Sequence, residues 1–187
     1  MNKVYLDENI FYIEDFVDKN SISILKEEIN NLDSLDKDHE GLYHDVFLLT
    51  DRSQELWDNI VRNLEGLFDN DEEYLHNFPH APFLIKYVNK ESKPTGWAMY
   101  PHADNIDYKD DLGEHNASVL KGIVIYVTDD YSGGEIVYVN KDITFKPKAG
   151  YLVCHPGSTE YTHGVNSFTG GDRIIITGFV HKRKKPN

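Results

Sequence analysis

The run Tyr100-Pro101-His102-Ala103-Asp104-Asn105 sets an imidazole and a carboxylate two positions apart. In an extended backbone, residues two apart project to the same face, so His102 and Asp104 can reach one metal ion. A second imidazole, His163, follows about sixty residues later, far enough to arrive on another strand of the same β structure. Two histidines and one carboxylate on one side of a metal leave coordination positions open on the other, a donor set suited to Fe(II) and its oxygen chemistry. Each part also has a plainer reading. His102 serves equally as a polar residue beside the Pro101 turn, His163 as a cap for Gly164, and His-x-Asp arises by chance in an acidic chain with nine histidines.

Arg173 stands at the head of the apolar run Ile174-Ile175-Ile176-Thr177-Gly178-Phe179-Val180. With period two it shares a face with Ile175, Thr177 and Phe179, which aims a guanidinium into an otherwise apolar interior. A buried Arg requires a partner, and a planar anion such as a carboxylate is its best match. The alternative is an ion pair at the barrel rim with Asp172 or Glu135.

These side chains must be carried by a framework, and the two halves of the chain differ. Ile10-Phe11-Tyr12-Ile13 reads as a strand, and the polar stretch Asp15 to Ser21 offers a helix N-cap. Ile22, Leu25, Ile29 and Leu32 recur at helical spacing, as do Leu56, Trp57, Ile60, Val61, Leu64 and Leu67 within a segment from Ser53 to Phe68. The second half is strand-like. Runs at 83–88, 120–127, 135–139, 150–154 and 173–180 are rich in Val, Ile, Tyr and Phe, and Gly133-Gly134 and Gly170-Gly171 punctuate them as turns. Short strands after two helices predict a mainly β fold, a sandwich or barrel with helices packed on one side.

With 187 residues, 40% hydrophobic and 12% aromatic, the expectation is one globular domain over 1–187. Residues 1–82 supply the first strand and supporting helices, 83–182 the β core, and 183–187 a basic tail. The tail, part of the run Lys182 to Lys185, reads as solvated and keeps a strand end from pairing. Lys+Arg 19 against Asp+Glu 32 gives a net charge of −13, which argues against nucleic acid. The segment Asn105 to Glu114, with Asp107, Asp110 and Asp111, reads either as a solvated loop or as an acidic lip for a cationic peptide. His115 reads as solvated. A single cysteine, Cys154, permits no intrachain disulfide and suits a reducing, cytoplasmic setting, and no signal peptide or membrane span is expected. Nothing sets the oligomeric state.

Taken together, His102-x-Asp104, His163-Gly164-Val165 and Arg173 resemble the signature of the Fe(II)/2-oxoglutarate dioxygenases, in their prolyl 4-hydroxylase-like branch. Gly96, Ile125-Tyr126-Val127-Thr128-Asp129 leading to Gly133-Gly134-Glu135, and Lys148 to Val153 resemble that family's core in the same order, so the likeness covers Phe83 to Lys182. It implies a double-stranded β-helix, or jelly roll, holding iron on His102, Asp104 and His163. It further implies 2-oxoglutarate paired through its far carboxylate with Arg173, where many relatives carry Lys, and touched by Tyr126 and Tyr87. Thr177, on the face of Arg173, is a further candidate contact; Tyr126 and Tyr87 also read as aromatic core. His155 shares a strand face with Tyr151 and Val153 and competes as a ligand, but the Gly-Val sequel and the spacing to Arg173 favour His163. One departure is Met99, where relatives usually place an aromatic residue. The implied reaction couples oxidative decarboxylation of 2-oxoglutarate by O2, giving succinate and CO2, to hydroxylation of a prolyl residue in a peptide or protein, with ascorbate as reductant. The alternatives are a related oxygenase acting on a small molecule or a non-prolyl residue, and a non-enzymatic metal-binding β-helix module; a structural metal site is more often closed by four protein ligands.

Overall fold

The computed structural model describes residues 1–30, 42–45, 51–70, 72–76, 83–87, 96–105 and 119–182. Within these residues the strands are β1 (Val4–Tyr5), β2 (Phe11–Ile13), β3 (Leu42–Asp45), β4 (Glu73–His76), β5 (Phe83–Tyr87), β6 (Trp97–His102), β7 (Val119–Tyr126), β8 (Ser132–Gly133), β9 (Ile136–Tyr138), β10 (Ile143–Phe145), β11 (Leu152–Pro156), β12 (His163–Asn166), β13 (Phe168–Thr169) and β14 (Arg173–Lys182). The helices are α1 (Lys19–Asn30) and α2 (Asp51–Phe68).

Helix α1 begins where its cap dictates. The Asp18 carboxylate accepts the backbone N–H groups of Asn20 (2.9 Å) and Ser21 (3.1 Å) and the Ser21 hydroxyl (2.6 Å), satisfying donors that have no partner within the helix. Those bonds, chiefly from Ser21, hold the Asp18 carboxyl below its ordinary range. Ile22, Leu25 and Ile29 are buried as the spacing predicts, while Leu32 lies outside the described residues. In α2 the expected stripe is inward: Trp57, Ile60 and Leu64 are buried, and Leu56, Val61 and Leu67 flank them.

All strand pairs are antiparallel. The larger sheet runs β1-β2-β11-β7-β14-β5-β3, with β4 also on β14; the smaller runs β10-β9-β12-β6, and β13 pairs β8. Period two divides the central strands of the larger sheet between two environments. Ile123, Ile125 and Val127, Leu152 and Cys154, and Ile174, Ile176 and Val180 join the helices in one core. The residues between them, Val124, Tyr126, Val153 and Ile175, form a second cluster on the opposite face. The helices therefore seal one side of the sheet, and the other side faces the smaller sheet across a cavity.

Element bounds shift from the sequence expectation for identifiable reasons. Gly150 has φ +86, and a Cβ there would lie 2.5 Å from the Val17 carbonyl oxygen, so the chain turns tightly and β11 starts only at Leu152. Strand β14 runs on to Lys182 because β4 pairs with its end, Val180 opposite Leu75 and Lys182 opposite Glu73. The acidic stretch around Glu73 interrupts the helix as expected yet forms that strand, with Leu75 buried and Glu73 holding Lys121 at 2.6 Å. Residues 183–187 and most of the acidic segment 105–114 lie outside the described residues.

Candidate metal centre and its cavity

The three residues singled out for metal binding come together. One donor atom each from His102, Asp104 and His163 lies within 4.8 Å of the other two, a group of two imidazole nitrogens and one carboxylate oxygen able to converge on one ion. His102 is the last residue of β6, paired directly with His163, the first residue of β12. Asp104 falls two residues past the end of β6, in a bend rather than in continued strand, where the backbone N–H of Asn105 donates to Gly157 O at 2.8 Å. The His-x-Asp spacing still works, because the bend turns the carboxylate toward His102, with Oδ1 at 3.8 Å from Nε2.

Both histidines are set in the same tautomer by local backbone. His102 Nδ1 lies 3.0 Å from Tyr100 O and His163 Nδ1 lies 3.1 Å from Tyr161 O. A carbonyl only accepts, so the proton sits on Nδ1 in each ring and the Nε2 lone pair is left for a metal. Burial, followed by the neighbouring His155, pushes the His163 imidazole down to about 3, so it remains a neutral donor at any ordinary pH. Burial alone would raise the Asp104 carboxyl. The hydrogen bond from His155 and the surrounding imidazoles outweigh that and leave it lowered, so the group is an anion able to ligate a metal.

The cavity at this centre has a volume of about 270 Å³, suited to a small ligand. Arg173, Ile175, Thr177 and Phe179 all line it, the face that period two assigns to them. Arg173 is 2% exposed, and its Nη2 lies 3.5 Å from the Tyr126 hydroxyl, so the guanidinium is directed inward as expected. Tyr126 is fully buried; that burial raises its phenol against the opposing pull of Arg173, keeping it a proton donor. Thr177 donates its hydroxyl to Ile123 O at 3.0 Å, so its proton is already engaged. Tyr87 lies directly opposite Arg173 in the β5–β14 ladder; its side chain is outside the described residues. Met99, the departure from the family pattern, forms part of the cavity wall with Val124, Ile136 and Val165.

Sequence reasoning weighed His155 only as a competing ligand. It is 1% exposed, lines the same cavity, and places Nε2 3.1 Å from Asp104 Oδ2 and Nδ1 3.0 Å from the Tyr138 hydroxyl. Its strand face was a usable signal, since Val153 two residues earlier also faces the cavity side.

Two facing antiparallel sheets, helices outside, and two imidazoles with a carboxylate at the end of the smaller sheet define a jelly-roll protein with a donor set that could hold a metal on one face. The family model described as the 2OG-Fe(II) oxygenase superfamily matches residues 87–181, and the chain belongs to that superfamily. Among curated proteins it is 26% identical over 110 residues to procollagen-lysine,2-oxoglutarate 5-dioxygenase of Drosophila melanogaster, covering 57% of this chain and 13% of that much longer one. Among solved structures, the viral collagen prolyl hydroxylase of Paramecium bursaria Chlorella virus-1 in complex with 2OG superposes with a TM-score of 0.60 at 16% identity, covering 95% of this chain and 97% of that one. A 2OG-Fe(II) oxygenase family oxidoreductase of Burkholderia pseudomallei gives 0.62 at 12% identity, over 92% and 84%. These likenesses bear out the double-stranded β-helix expected from the sequence. No helix among the described residues is long and apolar enough to cross a membrane.

Proposed function

We propose that the protein is an Fe(II)- and 2-oxoglutarate-dependent dioxygenase that hydroxylates a prolyl residue of a peptide or protein and releases succinate and CO2. The observation that carries this reading is the placement of His102, Asp104 and His163 in one cavity with the buried Arg173. His102 and His163 would hold Fe(II) through Nε2 and Asp104 through a carboxylate oxygen, and the metal would supply the activation of O2. Arg173 receives the far carboxylate, a charged pairing worth roughly 1.5–3 kcal/mol. Tyr126, already accepting from Arg173, directs its own O–H at the same carboxylate. Thr177 contributes shape, or a hydrogen bond if its hydroxyl leaves Ile123. The apolar remainder of the wall, Val124, Ile136, Val165, Ile175 and Phe179, excludes water from the reacting centre. A net charge of −13 favours a cationic peptide as substrate. The single buried Cys154 fits a reducing, cytoplasmic setting.

A second reading, hydroxylation of a lysyl residue, is favoured by the named activity of the Drosophila relative. Incubation with Fe(II), ascorbate and 2-oxoglutarate is expected to form succinate slowly without substrate, and His163→Ala to stop it. Succinate formation that survives His163→Ala would refute the metal assignment. A peptide library scored for gain of one oxygen, with the modified residue mapped, separates prolyl from lysyl chemistry.

A further inference from the structure

We propose that His155 is a positioning residue: with Tyr138 behind it and Gly122 beside it, it fixes the Asp104 carboxylate so that one chosen oxygen faces the metal. The inference rests on the reading of His102, Asp104 and His163 as a metal centre, and concerns what holds the third of these in place.

The two oxygens of Asp104 have different neighbours. Oδ1 lies 3.8 Å from His102 Nε2, on the side of the triad, whereas Oδ2 lies 3.1 Å from His155 Nε2. An ionised carboxylate can only accept, so the proton of that bond is on His155 Nε2. In the neutral form of the ring Nδ1 carries a lone pair, to which the Tyr138 hydroxyl, 3.0 Å away, can donate. The chain of bonds has one direction, Tyr138 O–H to His155 Nδ1, His155 Nε2–H to Asp104 Oδ2, and both rings are buried, Tyr138 fully. His155 is thus the opposite tautomer of His102 and His163, and its Nε2 proton bars that atom from ligating a metal.

The fold makes room for this bond. His155 on β11 is in register with Gly122 on β7, and a Cβ at Gly122 would lie 2.2 Å from Asp104 Oδ2 and 2.7 Å from His155 Nε2. A glycine inside a fully paired strand marks the close approach of another group, here the hydrogen-bonded pair itself. Asp104 also needs the restraint more than its co-ligands do, because it lies beyond the end of β6 whereas His102 and His163 belong to paired strands.

The test is titration of the full chain with Co(II) alone, followed by calorimetry and by the visible absorption of the bound ion, with melting of the metal-free proteins as a check on folding. His155→Leu, which removes the donor, is expected to weaken Co(II) binding about 10–100-fold and to alter the Co(II) spectrum, the range found when outer partners of metal ligands are lost. His155→Gln keeps an N–H donor on a side chain of similar reach and is expected to stay within about threefold of the parent by the same reasoning. Equal binding by parent and His155→Leu overturns the proposal. So does equal loss in the Leu and Gln variants, which would mark a packing role. If His155→Leu does not fold, Tyr138→Phe carries the test, with several-fold weaker binding expected and unchanged binding overturning the relay. His163→Ala separates the two readings. If it leaves Co(II) binding untouched the metal centre itself is wrong, whereas if it abolishes binding that His155→Leu preserves, only the positioning role fails.

Discussion

Replacing Gly122 by alanine tests the geometry of the centre without touching a titratable group. The added Cβ would sit 2.2 Å from Asp104 Oδ2, about 0.8 Å inside the 3.0 Å below which such contacts essentially never occur. Strand β7 cannot give way, since it is paired on one side with β11 and on the other with β14 over most of its length. The hydrogen-bonded pair must yield: the Asp104 carboxylate by close to 1 Å and His155 Nε2, 2.7 Å from the new Cβ, by a smaller step, which disturbs the bond between them. A displacement of about 1 Å at a catalytic centre costs on the order of 100-fold in rate, and loss of an outer hydrogen bond about 10–100-fold in metal affinity. Gly122→Ala is therefore expected to raise the Co(II) dissociation constant about 10–100-fold by calorimetry and to cut succinate formation about 100-fold, by the same two effects. The control is Gly66→Ala in α2, where nothing lies within 4 Å of the new methyl. That variant is expected to bind metal as the parent does and to gain about 0.5–1 kcal/mol of stability in urea unfolding. Metal binding by Gly122→Ala within about twofold of the parent, far short of those losses, would refute the close-approach argument.

Arg173→Leu is expected to raise the KM for 2-oxoglutarate by about 10-fold to 150-fold, the equivalent of roughly 1.5–3 kcal/mol of charged hydrogen bonding, and an unchanged KM in steady-state assays would remove Arg173 from co-substrate binding. The neutral burial of His163 predicts acid lability of the metal-free protein. Its imidazole is held near 3 in the fold but titrates near 6.5 when unfolded, so the unfolded chain takes up a proton that the native state refuses, and stability falls as pH drops from 6.5 toward 3 by up to about 1.4 kcal/mol per pH unit. Urea midpoints between pH 5 and 7 should show this slope in the parent and a shallower one in His163→Gln; equal slopes would refute it. Cys154 is 1% exposed and burial pushes its thiol up to about 12, so iodoacetamide is expected to label it only after denaturation, and stoichiometric labelling of the native protein would contradict its place in the helix-covered core.

The parts of this structure legible in the sequence are those governed by short-range rules. Helices α1 and α2 announced themselves through apolar spacing, and the cap at Asp18 lay within the polar stretch that precedes α1. Strand β14 is apolar on both faces, because one face meets the helices and the other the cavity, so hydrophobicity alone could not orient it. The charge of Arg173 did, by marking the odd-numbered face as the one with a polar task. What stayed hidden depends on pairing between distant strands. Nothing in the residues near His155 states that it will stand in register with Gly122, and the short β4, β8, β10 and β13 owe their existence to the partners they meet.

The three imidazoles of the cavity show where that boundary falls. His102, His155 and His163 are the same chemical group, all lining one space. Their roles diverge through what each Nδ1 meets. In His102 and His163 it meets the carbonyl of the residue two places earlier, Tyr100 and Tyr161, and that local contact frees Nε2 to ligate. In His155 it meets the hydroxyl of Tyr138, which can donate as well as accept, while Nε2 meets the acceptor-only carboxylate of Asp104, and the proton is held on Nε2. The proposed ligands thus differ from the proposed support in which ring nitrogen meets an acceptor-only oxygen, a backbone carbonyl at Nδ1 or a carboxylate at Nε2, and residue type and spacing cannot report that choice when the partner is tertiary.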